Sequence, residues 1–547
     1  MTLGAKWTDE QKNAIEKRGC DILVSAAAGS GKTAVLVERI IQIITDKDEP
    51  VDIDRLLVLT FTKAAAAEMR QRISDSIIKL LHNDPDNENL KSQLALLNKA
   101  HITTIHSFCM DVVRQSYALI DVDPSFRVAD EAEKALIEAA VLDELFEEKY
   151  NEADEGFISL VESFDKGFKD TALKNIVLNV YRFARSMPFP DEWIDKAAEK
   201  YNISEDDKFE DTYWGKLVIS ELRTRIDWMI ERMSGIMDLV TDAQGPVEYF
   251  ASLSDDLNNL KALSAALEID ITTFQAVLYG IKFKVIGRKA KETSAEIADA
   301  IKDLREGIKT EIKDIKGKLM FKTADSLKED IIKTYPLLKA LGALVKQYGV
   351  MFDEAKKKKQ LMDFNDLEHY CLKALIKENR NGEIIISESA EALRNKYYEI
   401  LTDEYQDSNA VQELILSAVS KGKNRFMVGD VKQSIYKFRM ARPEIFMEKY
   451  YKFTGSGDDN IRIDLYKNFR SRENILAGIN FVFERIMTPK LGEVVYDNAA
   501  RLSPGAEFEP NDDKIVLDIL EGKNIKEFAA DNDEEDLATA EIEAKHI

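Results

Sequence analysis

Residues 22–33 of this chain read ILVSAAAGSGKT, a short apolar run followed by small residues and a Lys-Thr pair. The apolar run at 22–24 predicts a buried strand, and the pattern AVLVERIIQII after Thr33 predicts a helix. A strand, a glycine-containing loop and a helix in this order are typical of a phosphate-binding loop. Ala26 stands where the general pattern has its first glycine, and alanine is small enough for that position.

Such a loop binds an anion through successive backbone N–H groups, which its glycines allow to point inward, and through the partial positive charge of the helix N-terminus. Lys32 is predicted to reach the β- and γ-phosphates, and the Thr33 hydroxyl to ligate Mg²⁺. The predicted nucleotide contacts of the loop are Ala28, Gly29, Ser30, Gly31, Lys32 and Thr33.

Length and composition indicate the number of domains and the cellular location of the protein. A chain of 547 residues is expected to form about three to four domains. It contains no apolar run of the ~20 residues that a membrane span needs, and its first residues, MTLGAKWTDEQ, lack the apolar core of a signal peptide. The three cysteines lie far apart and form no C-x-x-C pair, so a reducing cytoplasm is the expected location.

The net charge of −23 argues against a protein coated in nucleic acid by bulk electrostatics, but it allows a local basic groove. The short basic run KKKK at 356–359 is interpreted as a solvated helix face. Contact with a nucleic-acid backbone is the alternative interpretation of this run.

Further apolar runs end in polar or aromatic residues and predict an α/β fold. Buried strands are predicted at 56–62, 398–402, 424–428 and 461–465, and a strand that leads into a helix at 101–113. From about 125 to 350 helical periodicity replaces these runs, which indicates a long helical insertion.

The end of the strand at 398–402 carries two adjacent carboxylates, Asp403 and Glu404. This arrangement suits an ATPase, because one carboxylate can hold Mg²⁺ and the next can orient and deprotonate the attacking water. A turn that uses aspartate by propensity is the alternative. Gln433, after the strand at 424–428, is placed like a sensor of the γ-phosphate.

Aromatic side chains follow two of the predicted strands. Phe61 stands where open α/β sheets place ligands, and an aromatic ring there could stack on a base. Tyr436 and Phe438 alternate with Lys437 and Arg439, a composition typical of a platform for single-stranded nucleic acid.

Two polar positions have open alternatives. Gln11 completes a capping box with Thr8, or it offers an amide to the edge of adenine. His106 belongs to a group of small donors with Thr104 and Ser107, which could hold a phosphate or a bound strand, or form a satisfied histidine–hydroxyl network.

Seven motifs in chain order resemble those of superfamily-one DNA helicases of the UvrD/Rep/PcrA type: WTDEQ, SAAAGSGKT, VLTFTKAAAAEMRQRI, TTIHSFC, LTDEYQDSN, VGDVKQSIYKFRMARPEIF and LYKNFRSRENIL. TIHSFC, MDFNDLE and VKQSIYKFRMARPEIF look closer still to the AddA family, the helicase–nuclease subunits of AddAB complexes, and more distantly to RecB. The resemblance is strong over 6–120 and 355–500 and only general in between.

The resemblance implies ATP and Mg²⁺ as ligands, DNA as substrate and a role in double-strand break repair by recombination, with an AddB-like partner subunit. It implies these roles at the nucleotide site: Gln11 reads adenine, Lys32 and Thr33 hold the phosphates and Mg²⁺, Asp403 binds Mg²⁺, Glu404 activates water, Gln433 couples the γ-phosphate to DNA, and Arg470 is an arginine finger. The implied DNA contacts are Phe61, Thr62, His106, Tyr436, Phe438 and Arg439.

The same resemblance implies the domain organisation. A RecA-like ATPase domain, 1A, is expected at 1–120 plus 355–455, an inserted helical subdomain, 1B, at 121–354, and the beginning of a second RecA-like domain, 2A, at 456–547. After LYKNFRS the later helicase motifs, with a second catalytic arginine, and the nuclease signature do not occur in this sequence. We therefore expect the motor part of a longer protein. A stand-alone repair helicase, and a module that binds nucleotide and single-stranded DNA without efficient turnover, are the alternatives.

Overall fold

The computed structural model describes residues 7–164, 170–242, 245–288, 290, 294–380, 383–453, 460–488, 492, 494–498, 500–509 and 514–516. Most of the strand-like run KIVLDIL at 514–520, and the acidic tail that follows it, lie outside these residues. No helix among the described residues is long and apolar enough to cross a membrane.

One parallel sheet of six strands carries the fold, in the spatial order β6-β1-β5-β4-β2-β3. In chain order its strands are β1 (Asp21–Ala26), β2 (Leu56–Thr60), β3 (His101–Thr104), β4 (Glu399–Thr402), β5 (Arg425–Gly429) and β6 (Asn460–Leu465). Short two-stranded pairs join Arg127–Val128 to Leu361–Met362, Ile376–Arg380 to Glu383–Ile386, and Lys467–Asn468 to Ser503–Pro504.

The α-helices surround this sheet or form the insertion. In chain order they are α1 (Asp9–Glu16), α2 (Lys32–Ile44), α3 (Lys63–Asn83), α4 (Glu88–Leu96), α5 (Ile105–Gln115), α6 (Tyr117–Ile120), α7 (Glu131–Glu152), α8 (Glu155–Phe164), α9 (Thr171–Ala184), α10 (Pro190–Glu199), α11 (Tyr213–Thr241), α12 (Phe250–Leu267), α13 (Ile271–Gly280), α14 (Ala295–Asp314), α15 (Ala324–Lys358), α16 (Phe364–Leu375), α17 (Glu388–Lys396), α18 (Ala410–Val419), α19 (Pro443–Lys452) and α20 (Glu473–Ile486). Single 3₁₀ turns include Tyr405–Asp407, Val431–Gln433 and Lys437–Arg439.

The central strands are buried along their whole length, because helices cover both faces of a parallel sheet. Every residue of β2, β4 and β5 is buried. This explains why these strands read as nearly continuous apolar runs rather than as alternating ones. The predicted α/β class with a parallel sheet is confirmed.

Strand register aligns the carboxyl ends of the central strands. Leu59 of β2 pairs with Thr402 of β4, which in turn pairs with Met427 of β5. Ser25 of β1 pairs with Gly429. The loops after these four strands therefore meet at one edge of the sheet, where open α/β sheets bind their ligands.

Internal contacts divide the chain into two compact units, one of Met1–Val122 with Leu367–Ile547 and one of Asp123–Asp366. The first unit contains the six-stranded sheet. The second is built from α7 to α15 around two apolar cores, one of which includes Leu145, Phe146 and Phe352, and the other Met229 and Leu260.

Strand β6 differs from the sequence-based expectation, which assigns 456–547 to the start of a second domain. Its residues pair with β1 from Asn460 opposite Asp21 to Leu465 opposite Ala26. Ile461, Ile463 and Leu465 alternate with polar residues and pack into the core of this sheet. Apolar alternation predicts a strand but does not say which sheet it joins, and the structure places this one in the first sheet.

Lys356 also differs from expectation. It begins the basic run at 356–359, yet its side chain is buried among three carboxylates, at 2.6 Å from Asp366, 3.2 Å from Asp353 and 3.6 Å from Asp363. Burial by itself would lower the pKa of Lys356, but these carboxylates raise it overall. The solvated-face interpretation was wrong for Lys356, whereas the remaining three lysines of the run are exposed.

Candidate nucleotide site and aromatic cluster

The loop between β1 and α2 curls through two glycines with left-handed backbone. Gly29 has φ of 70° and Gly31 a φ of 86°, a region that residues with a side chain rarely adopt. Gly31 caps α2, which begins at Lys32 and has no side-chain cap at its N-terminus. The first N–H groups of this 13-residue helix are thus available for an anion.

A buried ion pair fixes α2 against the sheet. Arg39 of α2 forms a bidentate pair with Glu399 of β4, with Nε 2.8 Å from one carboxylate oxygen. The guanidinium also donates to the carbonyl of Ala14 and lies 4.3 Å from the ring centre of Phe426. Removal of either charged partner would leave the other charge buried, so this pair holds the loop's helix in a defined position.

The segment after β6 sits directly on the loop. Asn468 Nδ2 donates to the carbonyl of Ala28 at 2.6 Å, and the Phe469 N–H donates to that of Gly29 at 2.9 Å. Asn468 Oδ1 in turn accepts the backbone N–H of Arg470 at 2.8 Å. These bonds bring Arg470 over the loop.

A cavity of about 540 Å³ opens above the loop. It contains most of the predicted catalytic residues and three residues that the sequence did not single out, Ala34, Arg72 and Phe469. Its walls are Ala28, Gly29, Gly31, Lys32, Thr33, Ala34, Arg72, Glu404, Gln433, Phe469 and Arg470. Arg72 lies in the motif KAAAAEMRQRI and Phe469 in LYKNFRS. The resemblance of these two motifs to helicase motifs could therefore have pointed to both residues.

Lys32 connects two strand ends across the cavity. Its Nζ lies 3.5 Å from Glu404 Oε2 and 3.5 Å from Gln433 Oε1. The ammonium is thus held by an anion and an amide oxygen at the point where the phosphates of a nucleotide would arrive.

The carboxylates after β4 lie in different surroundings. Asp403 is partly buried, and its pKa rises from 3.8 to about 6, first because of burial and then because of the neighbouring Glu404 charge. Glu404 has a φ of 52°, an uncommon conformation for a residue with a side chain, and it faces the cavity. Strained backbone at such a position is typical of functional sites.

Gln11 performs the capping role and contacts the loop as well. Its Oε1 accepts the N–H of Thr8 at 3.0 Å, which completes the capping box of α1. Its Nε2 donates to the carbonyl of Ser30 at 3.0 Å. The capping alternative is therefore confirmed, and the same amide borders a narrow cleft with Tyr466 and Phe469.

The predicted aromatic platform forms one cluster. The rings of Phe61 and Tyr436 lie 4.6 Å apart, and those of Tyr436 and Phe438 lie 5.9 Å apart. The Arg439 guanidinium lies within 5.7 Å of both the Tyr436 and Phe438 rings. Phe438 is 74% exposed, so the cluster presents aromatic surface and one cation to solvent.

Two further predicted DNA contacts have structural roles of their own. The Thr62 hydroxyl caps α3 by accepting the Ala65 N–H at 3.0 Å. His106 Nε2 lies 3.1 Å from the buried carboxylate of Glu368. Asn409 and Gln412 donate to the same carboxylate. A DNA contact by either predicted residue stays a prediction.

The parallel sheet and the loop at its carboxyl edge define a P-loop nucleotide-binding protein. Residues 7–454 match the UvrD/REP helicase N-terminal domain, and the chain belongs to this helicase family. The resemblance that the sequence motifs indicate is thereby confirmed.

Curated relatives of this chain are named as subunits of an ATP-dependent helicase/nuclease. The protein of Clostridium acetobutylicum is 42% identical over 573 residues, which cover 100% of this chain and 46% of the relative. That of Acetivibrio thermocellus is 42% identical over 545 residues, covering 98% and 43% of the two chains. The chain thus spans less than half the length of these relatives.

Proposed function

We propose that this chain is the motor part of an AddA-type helicase–nuclease, an ATP-dependent DNA translocase of double-strand break repair and recombination. One observation carries the proposal: Lys32 contacts both Glu404 and Gln433, and the segment that continues from Gln433 places Tyr436 against Phe61. A hydrolytic site and a surface suited to bases thus share one segment.

At the nucleotide site the loop N–H groups and Lys32 would bind the phosphates of ATP. Glu404 would orient and deprotonate the attacking water, while Arg470 and Arg72 would stabilise the charge on the transferred phosphoryl group. Arginines in such positions contribute on the order of 10³–10⁵ in rate in related phosphoryl transfers.

The donor set also suits Mg²⁺, which prefers hydroxyl, carboxylate and phosphate oxygens. Thr33 and Asp403 would hold it, and the pKa of the Asp403 carboxyl is raised by burial and by the neighbouring Glu404 charge, which a bound cation would offset. Bound there, Mg²⁺ would neutralise charge on the β- and γ-phosphates.

The adenine ring would lie beside Gln11 and Phe469. Phe469 borders both the phosphate cavity and the cleft at Gln11, so its ring can stack on a base whose phosphates occupy the loop. Among the residues that the structure describes, none takes up the second N–H and the remaining lone pair of the Gln11 amide, which would face the base edge.

The aromatic cluster would bind single-stranded DNA. Stacking contributes about 1–3 kcal/mol per base whichever base is present, which suits movement along a strand without sequence preference. Arg439 would add attraction to phosphates that weakens with salt.

We propose that the unit with the six-stranded sheet is the RecA-like domain 1A and that the helical unit at 123–366 is the inserted subdomain 1B. A second motor domain, 2A, would begin after Leu465, because the strand that ends there belongs to the first sheet. The relatives' name suggests a nuclease domain in the longer protein and an AddB-like partner subunit, and we propose both.

A second candidate is a module that binds nucleotide and single-stranded DNA without efficient turnover. The chain's coverage of 46% of its relative favours this candidate. A stand-alone repair helicase has less support, because the relatives are named helicase/nuclease subunits.

Oligonucleotide binding tests the DNA surface. We expect Phe61→Ala and Tyr436→Ala each to weaken binding of a labelled oligo(dT) by about 5- to 150-fold, since each removes a stacking surface worth about 1–3 kcal/mol. Fluorescence anisotropy at fixed salt measures the effect. Tyr451→Ala, which removes an exposed ring of α19, is the matched control. Equal affinity in all four proteins would contradict the assignment.

A further inference from the structure

A closed ring of hydrogen bonds links the nucleotide cavity to the segment that precedes the aromatic cluster. Lys32 contacts Glu404 and Gln433, each at 3.5 Å. Gln433 Nε2 donates to Asp430 Oδ2 at 2.7 Å, and the Asp430 N–H donates to Gln406 Oε1 at 3.0 Å. Gln406 Nε2 closes the ring by donating to Glu404 Oε2 at 2.8 Å.

Gln406 does not itself line the cavity, and its side-chain amide binds groups on both sides of the ring. It is 1% exposed and joins the turn after β4 to the turn after β5. Its Nε2 also lies 3.2 Å from Asp407 Oδ2, so one amide group serves two carboxylates. A Cβ at Gly429 would collide with Gln406 Oε1, so a larger residue there would displace this amide.

We propose that Gln406 is a positioning residue that couples Glu404 to the turn at Val431–Gln433 and, through it, to the aromatic cluster. The inference rests on the proposed function. If Glu404 or Lys32 shifts when nucleotide binds, the acceptor of the Gln406 Nε2 group moves. Because Oε1 of the same amide accepts the Asp430 N–H, we expect the backbone at Asp430 to shift with it. The turn at Val431–Gln433 continues directly into Tyr436 and Phe438.

The test is the coupling between two ligands, measured without turnover. Binding of labelled oligo(dT) is titrated by anisotropy with and without a saturating non-hydrolysable ATP analogue and Mg²⁺. In the unaltered chain we expect the two dissociation constants to differ by about fivefold or more, the usual range for coupled sites. Gln406→Met fills the same space without either hydrogen bond, and Gln406→Glu keeps the acceptor but loses the donor.

Both variants are expected to bring the ratio of dissociation constants to within about twofold of one, with oligonucleotide affinity in the absence of nucleotide unchanged. Gln93→Met is the matched control, because Gln93 is equally buried, accepts the Ile53 N–H and donates to Asp52. This control removes hydrogen bonds of the same kind at a place away from the site. It should keep the ratio of dissociation constants of the unaltered chain.

The outcomes are distinguishable. A normal ratio in folded Gln406→Met or Gln406→Glu would overturn the inference and leave the proposed function intact. A ratio of one in the unaltered chain, with both ligands bound, would overturn it too. Failure of the unaltered chain to bind the nucleotide analogue would instead overturn the proposed function and the inference together.

Discussion

At the scale of single residues, the cavity contains Lys32, Thr33, Glu404, Gln433 and Arg470 from four separate parts of the sequence. Lys32, Thr33, Glu404 and Gln433 follow predicted strands in recognisable motifs, whereas the resemblance to the helicase family supplied the role of Arg470. Gln406 was not predictable, because its proposed role depends on the bond from the Asp430 N–H, 24 residues away in sequence, which only the fold brings near. The prediction of a solvated Lys356 was wrong because a run of lysines does not show that three carboxylates surround one of them in the fold.

Two substitutions separate nucleotide binding from hydrolysis. We expect Lys32→Ala to weaken ATP binding and to abolish turnover, because it removes the cation that faces the phosphates. Glu404→Gln should bind ATP with affinity close to that of the unaltered chain and stop hydrolysis, because the amide cannot accept the proton from water. Titration with a fluorescent ATP analogue measures binding. Equal loss of affinity in both variants would contradict the assigned roles.

Asp403 predicts a pH dependence of stability. Its pKa in the folded chain is raised to about 6, so this group's contribution to stability is fully present below its unfolded pKa of 3.8 and is lost as the pH rises through about 6. Asp403→Asn removes that titration. Without nucleotide or Mg²⁺, the variant should therefore have the higher Tm at pH 8, and the difference should shrink towards pH 4.

Thermal unfolding of both proteins across this pH range measures the effect. Asp407, whose pKa is also raised to about 6, titrates in both proteins and so cancels in the comparison. A lower Tm for Asp403→Asn at pH 8, or a difference independent of pH, would contradict a raised pKa for this carboxyl.

At the scale of elements, the apolar runs of the sequence, and the glycine-containing or polar residues that end them, predict the strands of the sheet and the helix α2. The order of the strands does not follow, because each run shows burial but not its neighbours. Strand β6 illustrates this limit: IRIDL predicts a strand, while its pairing with β1 depends on Ile461, Ile463 and Leu465 fitting the same core as Ile22 and Val24. That pairing places the segment with Arg470 against the loop.

The close approach of this segment to the loop predicts an effect of Gly29→Ala. A Cβ at Gly29 would lie 2.6 Å from Asn468 Nδ2 and 2.9 Å from Arg470 Cβ. We expect nucleotide affinity to fall by at least about tenfold, a change of ~1.4 kcal/mol, because the segment must move off the loop.

Gly422→Ala is the control for backbone strain. Gly422 has a φ of 82° and no atom within 4 Å of an added Cβ, so it carries a similar conformational cost, about 1–2 kcal/mol, without a collision. Both variants should lose some thermal stability, but only Gly29→Ala should lose affinity in the same analogue titration. Unchanged affinity in Gly29→Ala would mean that the segment tolerates displacement.

At the scale of the whole molecule, the net charge of −23 leaves DNA binding to a small local surface. In the proposed function this surface is Arg439 beside Tyr436 and Phe438, where stacking would supply affinity that bulk charge does not. The helical unit at 123–366 was predictable as an insertion, because helical periodicity replaces strand-like runs there. Its two apolar cores were not, because periodicity does not say which helices pack together.

ATP hydrolysis with and without a single-stranded oligonucleotide tests the central claim, that one segment joins a hydrolytic site to a DNA surface. The unaltered chain and Glu404→Gln are compared at saturating Mg²⁺ and ATP. We predict turnover that the oligonucleotide stimulates and that Glu404→Gln abolishes. Binding of both ligands without turnover would select the second candidate function. Turnover that ignores the oligonucleotide, or that persists in Glu404→Gln, would contradict the account.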